Sequence, residues 1–174
     1  MRLNPYDDVM VQPSTVSSVA IQSLTGSSAV NGDGVDTAQG ALMGGAESIM
    51  VHVRAEIASG SPSAATVAWA LQESNDNGST DSYAAANDNT GTAIGGTLNV
   101  HTTAQDAYAR IEGINLQNTG LSAAPKGGRK RWLRIVLTPA FTSGTSPAIL
   151  TVAEFIGAPG NGVQLPVRTA VSNT

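Results

Sequence analysis

None of the 174 residues is cysteine, which excludes disulfides, thiolate zinc sites and a cysteine nucleophile together and fits assembly in a reducing cytoplasm. Aromatic residues make up 4% and charged residues 13% of the chain, with a net charge of -4. The core must therefore be aliphatic, and the strongly basic balance of a general nucleic-acid binder is missing. No segment reaches the roughly 20 consecutive apolar residues that a membrane span needs. The first 13 residues hold Arg2, Asp7 and Asp8 without the apolar stretch of a secretory signal. A nucleophile elbow, an HExxH metal motif, a phosphate loop and a dinucleotide fingerprint are all lacking. Only His52 and His101 could act as bases, and each falls in a predicted strand where an exposed or interface role is the ordinary one. These absences point away from an enzyme and from a bound cofactor.

What the chain does have is abundant Ala, Ser and Thr, with 19 Gly, a composition that favours strands and turns over helix interiors. Its length suits one domain. Alternation of apolar and polar residues is the dominant pattern and marks strands. In residues 49–57, Ile49, Val51, Val53, Ala55 and Ile57 share one face while Met50, His52, Arg54 and Glu56 share the other. Residues 58–63 then supply a turn with Gly60 and Pro62, and Val67, Trp69 and Leu71 define the next strand, Trp69 belonging to the core. These two strands read as a hairpin. A second hairpin is read from residues 131–138 and 149–156, joined by a turn at 143–147 whose Ser-Gly and Pro resemble those of the first. Further strands are predicted at 16–24, 96–101 and 108–117, the last changing phase at Gly113 as a β-bulge would.

The stretch 75–95 is rich in Asn, Asp, Gly and Ala and reads as a long mobile loop. Its segment from Asn75 to Asp81 clusters oxygen ligands as a calcium loop does, but lacks the closing bidentate Glu, and turns of this kind form without metal. The expected architecture is all-β: a single β-sandwich or jelly-roll-like domain over 16–157, with an N-terminal arm at 1–15 and a C-terminal tail at 158–174.

Charge is distributed unevenly. Lys126, Arg129, Lys130, Arg131 and Arg134 are five of the nine basic residues, and Trp132 lies among them. They serve either as charges guarding a solvated edge strand or as a patch docking on an acidic surface, with Trp132 as a flat anchor. The strand at 149–156 is apolar on both faces, Ile149, Ala153 and Phe155 against Leu150, Val152 and Ile156, which calls for cover on both sides.

Four stretches in order resemble a small β-sandwich virion protein of tailed bacteriophages, of the capsid decoration or cement type. They are Asn31-Gly32-Asp33-Gly34-Val35-Asp36, the element running from Leu71-Gln72-Glu73-Ser74 through Asn77-Gly78 to Thr80, the basic strand of residues 126–138, and Gly144-Thr145-Ser146-Pro147 with the apolar strand to Gly157. The resemblance covers roughly residues 31–157, and the chain departs from it by a longer stretch at 79–106 and a longer tail. It implies a non-enzymatic protein on the outer capsid surface of a virion, made in the host bacterial cytoplasm. Its implied partners are the major capsid protein and further copies of itself, a trimer being expected. Lys126, Arg129, Lys130, Arg131, Trp132 and Arg134 are the candidate capsid-docking residues. The competing readings are a tail, neck or fibre-base component, and a glycan-binding adhesion module.

Overall fold

Strand-forming alternation is realised in ten strands and no helix among the residues described by the computed structural model, which are 14–37, 48–88, 90–100, 107–115 and 129–157. In chain order the strands are β1 (Ser14–Thr25), β2 (Val30–Asn31), β3 (Val35–Asp36), β4 (Ser48–Ser59), β5 (Ala64–Ser74), β6 (Ala84–Ala85), β7 (Gly95–Val100), β8 (Ala107–Asn115), β9 (Trp132–Thr142) and β10 (Ala148–Gly157). The regions read as arm and tail lie outside the described residues apart from the start of β1.

All pairings are antiparallel, and they nest. The first strand pairs with the last (β1 with β10), β2 and β3 pair with β9, β4 pairs with β8, and β5 pairs with β7. Successive pairs alternate between two sheets, one ordered β1-β10-β4-β8 and the other built on β2-β9-β5-β6, with β3 and β7 attached. A double ribbon wound across two layers in this way is a jelly roll. The sandwich between the sheets is filled by Val19, Ile49, Val51, Val53, Ile149, Ala153 and Phe155 from one side and Val67, Trp69, Leu71, Leu133, Ile135 and Leu137 from the other. The faces predicted for β4, β5 and β9 are therefore the faces found.

Strand partnership is another matter. The two predicted hairpins do not exist, because β4 and β10 belong to one sheet and β5 and β9 to the other. Their connections at 60–63 and 143–147 are corners that carry the chain between layers. The two look-alike turns interlock: Thr145 N–H donates to the Gly60 carbonyl at 3.1 Å, and Ser63 N–H to the Thr142 carbonyl at 2.9 Å. Gly60 and Gly144 sit at φ 87° and 96°. A Cβ on Gly144 would lie 2.6 Å from the Gly60 carbonyl oxygen, so glycine is needed for contact as well as for conformation.

The predicted bulge is present in β8, where Ile49 pairs with Ile114 but Val51 with Ile111. β1 carries two more, since its register against β10 slips between Ser17 and Val19 and again between Val19 and Gln22. The first turns Ser18 into the interior. Its hydroxyl donates to the Asp33 carbonyl at 2.9 Å and accepts Ile135 N–H at 2.9 Å, and Asp33 N–H returns to the Ser18 carbonyl at 2.6 Å. One bulge thus pins the edge of one sheet to the centre of the other.

The described residues of the 75–95 stretch form a structured connection between neighbouring strands of one sheet. β6 adds to β5, an isolated bridge joins Asn87 to Ala93, and Leu71 N–H donates to the Ile94 carbonyl. The order arises from two carboxylates used as turn caps. Asp76 accepts N–H groups of Ser79, Thr80 and Asp81, and Asp88 accepts those of Thr90 and Thr92.

Candidate docking surface

The basic segment enters the fold at β9, which lies between β2 and β3 on one side and β5 on the other. It is an interior strand, so the edge-guarding reading of its charges is corrected: no free strand edge is there to guard. On β9 the alternation sends Leu133, Ile135 and Leu137 into the core and leaves Trp132 and Arg134 half-buried on the outer face. The residues just before the strand fan out around its end.

Each described cation of the cluster has a partner in the chain. Arg131 forms a fork on Asp36 of β3, Nε to Oδ1 at 2.9 Å and Nη2 to Oδ2 at 2.5 Å. Thr37 braces it by donating through its N–H and hydroxyl to the Arg131 carbonyl. The bond to Asp36 also raises the Arg131 guanidinium above its ordinary pKa. Lys130 places Nζ 2.8 Å from both carboxylate oxygens of Asp81. Asp81 is held below the usual carboxylate range first by that bond and then by Asn75 N–H.

Arg134 donates Nε to Gln72 Oε1 at 2.9 Å and lays its guanidinium 4.1 Å over the Tyr83 ring. The Tyr83 hydroxyl in turn donates to Asn77 Oδ1 at 2.7 Å. Burial pushes the Tyr83 phenol up, against the opposing effect of Arg134. Arg129 is the most enclosed, with a side chain 9% exposed and Nη1 3.6 Å from Glu73 Oε2, whose side chain is 7% exposed. Its Nε is buried without a hydrogen-bond partner.

The structure therefore brings Arg129, Lys130, Arg131, Trp132 and Arg134 together at one end of a sheet, while Lys126 lies outside the described residues. Three cations, Arg129, Lys130 and Arg131, meet the carboxylates of Glu73, Asp81 and Asp36, Arg134 meets the neutral Gln72 and Tyr83, and Asp76 acts on Asp81 through space. The result, among the described residues, is a cross-linked platform whose cations are engaged within the chain rather than an open positive patch. One face of each ring is engaged, Trp132 by Arg131 at 5.8 Å and Tyr83 by Arg134.

The residues missed at the sequence level are the acceptors: Asp36, Gln72, Glu73, Asp81 and Tyr83. Asp36, Gln72 and Glu73 lie within the stretches that carried the family resemblance, but nothing local marks them as partners of a strand about 60 or 95 residues away. The calcium-like segment is explained by the same geometry. The Asp76 oxygens are occupied by N–H and O–H donors, Thr80 foremost, which hold its carboxyl well below the ordinary range and leave its lone pairs directed at the protein. Elsewhere, His52 pairs with Glu154 at 3.4 Å on the outer face of the β1-β10-β4-β8 sheet, and His101 lies outside the described residues.

No protein-family model matches the chain, and no curated protein matches it. Among solved structures, a chain from Desmodium yellow mottle tymovirus is similar over 97% of this chain and 98% of its own, at 14% identity and a TM-score of 0.32. At that distance neither residue roles nor partners transfer, and the assignment of an all-β jelly roll rests on the strand pairing itself.

Proposed function

We propose that this chain is a structural protein of a tailed-phage virion, one that decorates the outer capsid surface by binding the major capsid protein and other copies of itself. The observation that carries the reading is convergence. Three of the four stretches that resemble phage decoration proteins, scattered over a hundred residues, lock together. Asp36 from the first holds Arg131 from the third, and Gln72 and Glu73 from the second hold Arg134 and Arg129. The fourth, with Gly144 and Thr145, closes onto the 60–63 corner.

The jelly roll is an architecture that viral capsid domains use, though lectins and cupins use it too. Its role here is adhesion without chemistry. Many copies on a symmetric lattice resist detachment because several contacts must break together. The docking element is the platform around β9, acting by shape and by Trp132. Because its described cations already have partners within the chain, attachment depends little on ionic attraction. The glycan-binding alternative is weakened at Tyr83, one face of which is covered by Arg134.

The test is co-sedimentation of the purified chain with undecorated heads of its phage, followed by reconstruction of the decorated particle. Saturable binding at lattice positions supports the proposal. Density for the chain only at the neck or tail would replace it with the alternative placement.

A further inference from the structure

The outer face of the β1-β10-β4-β8 sheet has an exposed apolar centre. β10 is an interior strand of that sheet, and its inward residues Ile149, Thr151, Ala153 and Phe155 are fully enclosed, yet Leu150, Val152 and Ile156 point the other way and stay half-exposed. Beside them the second β1 bulge throws Ile21 outward to 72% exposure, the one large hydrophobic side chain so exposed among the described residues. Ile21 borders a shallow depression formed with Leu150, Val152, Arg54 and Glu56. A projecting aliphatic side chain next to an aliphatic hollow is the arrangement that a rotated copy of itself can fill.

The charges around this centre favour the same occupant. Arg54 stands opposite Val152 and next to Glu56, and Glu154 stands opposite His52 one step further along β10. A face carrying both signs around one apolar patch has no preference for a strongly acidic or basic partner. A second copy turned through a two-fold axis meets its arginine with carboxylates and its carboxylates with arginine.

We infer that two copies of this chain associate through the outer face of the β1-β10-β4-β8 sheet, Ile21 of each seating in the Leu150–Val152 hollow of the other. This names the surface for the self-association proposed above and rests on it. It also specifies a closed two-fold pair in place of the trimer expected from sequence. An isologous contact uses the same patch twice, whereas a three-fold ring needs two different patches.

The experiment is sedimentation velocity of the full chain over a concentration series, comparing wild type with Ile21→Asp, Val152→Asp and, on the outer face of the other sheet, Thr138→Asp. Wild type is expected to sediment as a dimer. Val152→Asp should raise the dissociation constant by at least about tenfold, since it replaces apolar surface at the contact with a carboxylate that must be desolvated. Ile21→Asp keeps the test valid should Val152→Asp misfold, because a side chain so exposed contributes little to the monomer. Thr138→Asp should leave the dimer unchanged. A wild-type monomer or trimer, a dimer indifferent to Ile21→Asp, or equal loss in Thr138→Asp would each overturn the inference. Head binding is measured separately. A dimer that ignores heads would sink the decoration reading alone, and an Ile21→Asp monomer that still binds heads, with lower avidity, upholds both.

Discussion

Ser18 and Ile135 belong to different sheets and are 117 residues apart, yet the Ser18 hydroxyl accepts the Ile135 N–H at 2.9 Å in a buried position. Ser18→Ala would leave that N–H and the Asp33 carbonyl without their partner, at an expected cost of about 1–3 kcal/mol. Urea unfolding would read it as a lower midpoint with an unchanged slope. A loss below a few tenths of a kcal/mol would mean that water replaces the hydroxyl.

Gly32 makes a sharper case at the same junction. A Cβ there would sit 2.4 Å from Ser18 Oγ and 2.7 Å from the carbonyl oxygens of both Ser18 and Ile135. Gly32→Ala should therefore destabilise the fold, and adding Ser18→Ala should recover only part of the loss, since two of the three clashes are with backbone. Full recovery in the double variant would show that the backbone yields.

The Arg129–Glu73 pair is nearly enclosed, so removing one partner strands the other. Glu73→Gln or Arg129→Met is expected to cost about 3–5 kcal/mol, and the pair of changes together less than the sum. Thermal unfolding of the two single variants and the double variant decides this. Additive losses would mean that the two side chains act independently.

Acid should act through the turn caps. Asp76 and Asp81 have folded pKa values depressed below the ordinary 3.8, so the unfolded chain takes up protons first and stability rises with pH across that region. Their contribution is complete above about pH 5 and is lost as pH falls through the depressed values. Both groups are open to solvent, which keeps the effect modest and sensitive to salt. Melting temperatures from pH 2 to 6 should fall less steeply with acid in Asp76→Asn than in wild type; parallel curves would contradict the assignment.

Attachment to heads, if it runs through β9, should weaken at every salt concentration in Trp132→Ala, because an anchoring ring acts by packing and desolvation. Salt itself should matter little, since the neighbouring cations are paired within the chain. Exchanging Asp36 and Arg131 for one another should preserve the fork and with it most of the binding. A steep fall in binding with salt, or intact binding by Trp132→Ala, would count against this surface.

The faces of the strands were legible in the sequence because burial acts on every second residue: Val51, Val53, Trp69, Leu71, Leu133 and Ile135 all point where alternation sends them. Strand partnership was not, since Gly60 and Pro62 would serve a hairpin as well as they serve a corner between sheets. Only contacts about 80 residues apart, such as Ser63 with Thr142, distinguish the two. The bulge at Gly113 was visible as a break in phase. The basic cluster was visible as composition, but Asp36, Glu73 and Asp81 pair with three of its cations from distant parts of the chain, and local sequence records no such pairing. The 75–95 stretch looked mobile for its Asn, Asp and Gly content, although Asp76 and Asp88 are what fix it.

Ser14 is paired with Gly157. During synthesis β1 is therefore made first and waits longest, lacking its hydrogen-bonding neighbour until β10 has left the ribosome. Every nested pair except the innermost, β5 with β7, is under the same constraint. Folding should thus start at that inner pair, proceed outward and finish after translation, at the slow rates typical of high contact order. A nascent chain that holds a twelve-residue strand open for so long is a natural client for chaperones.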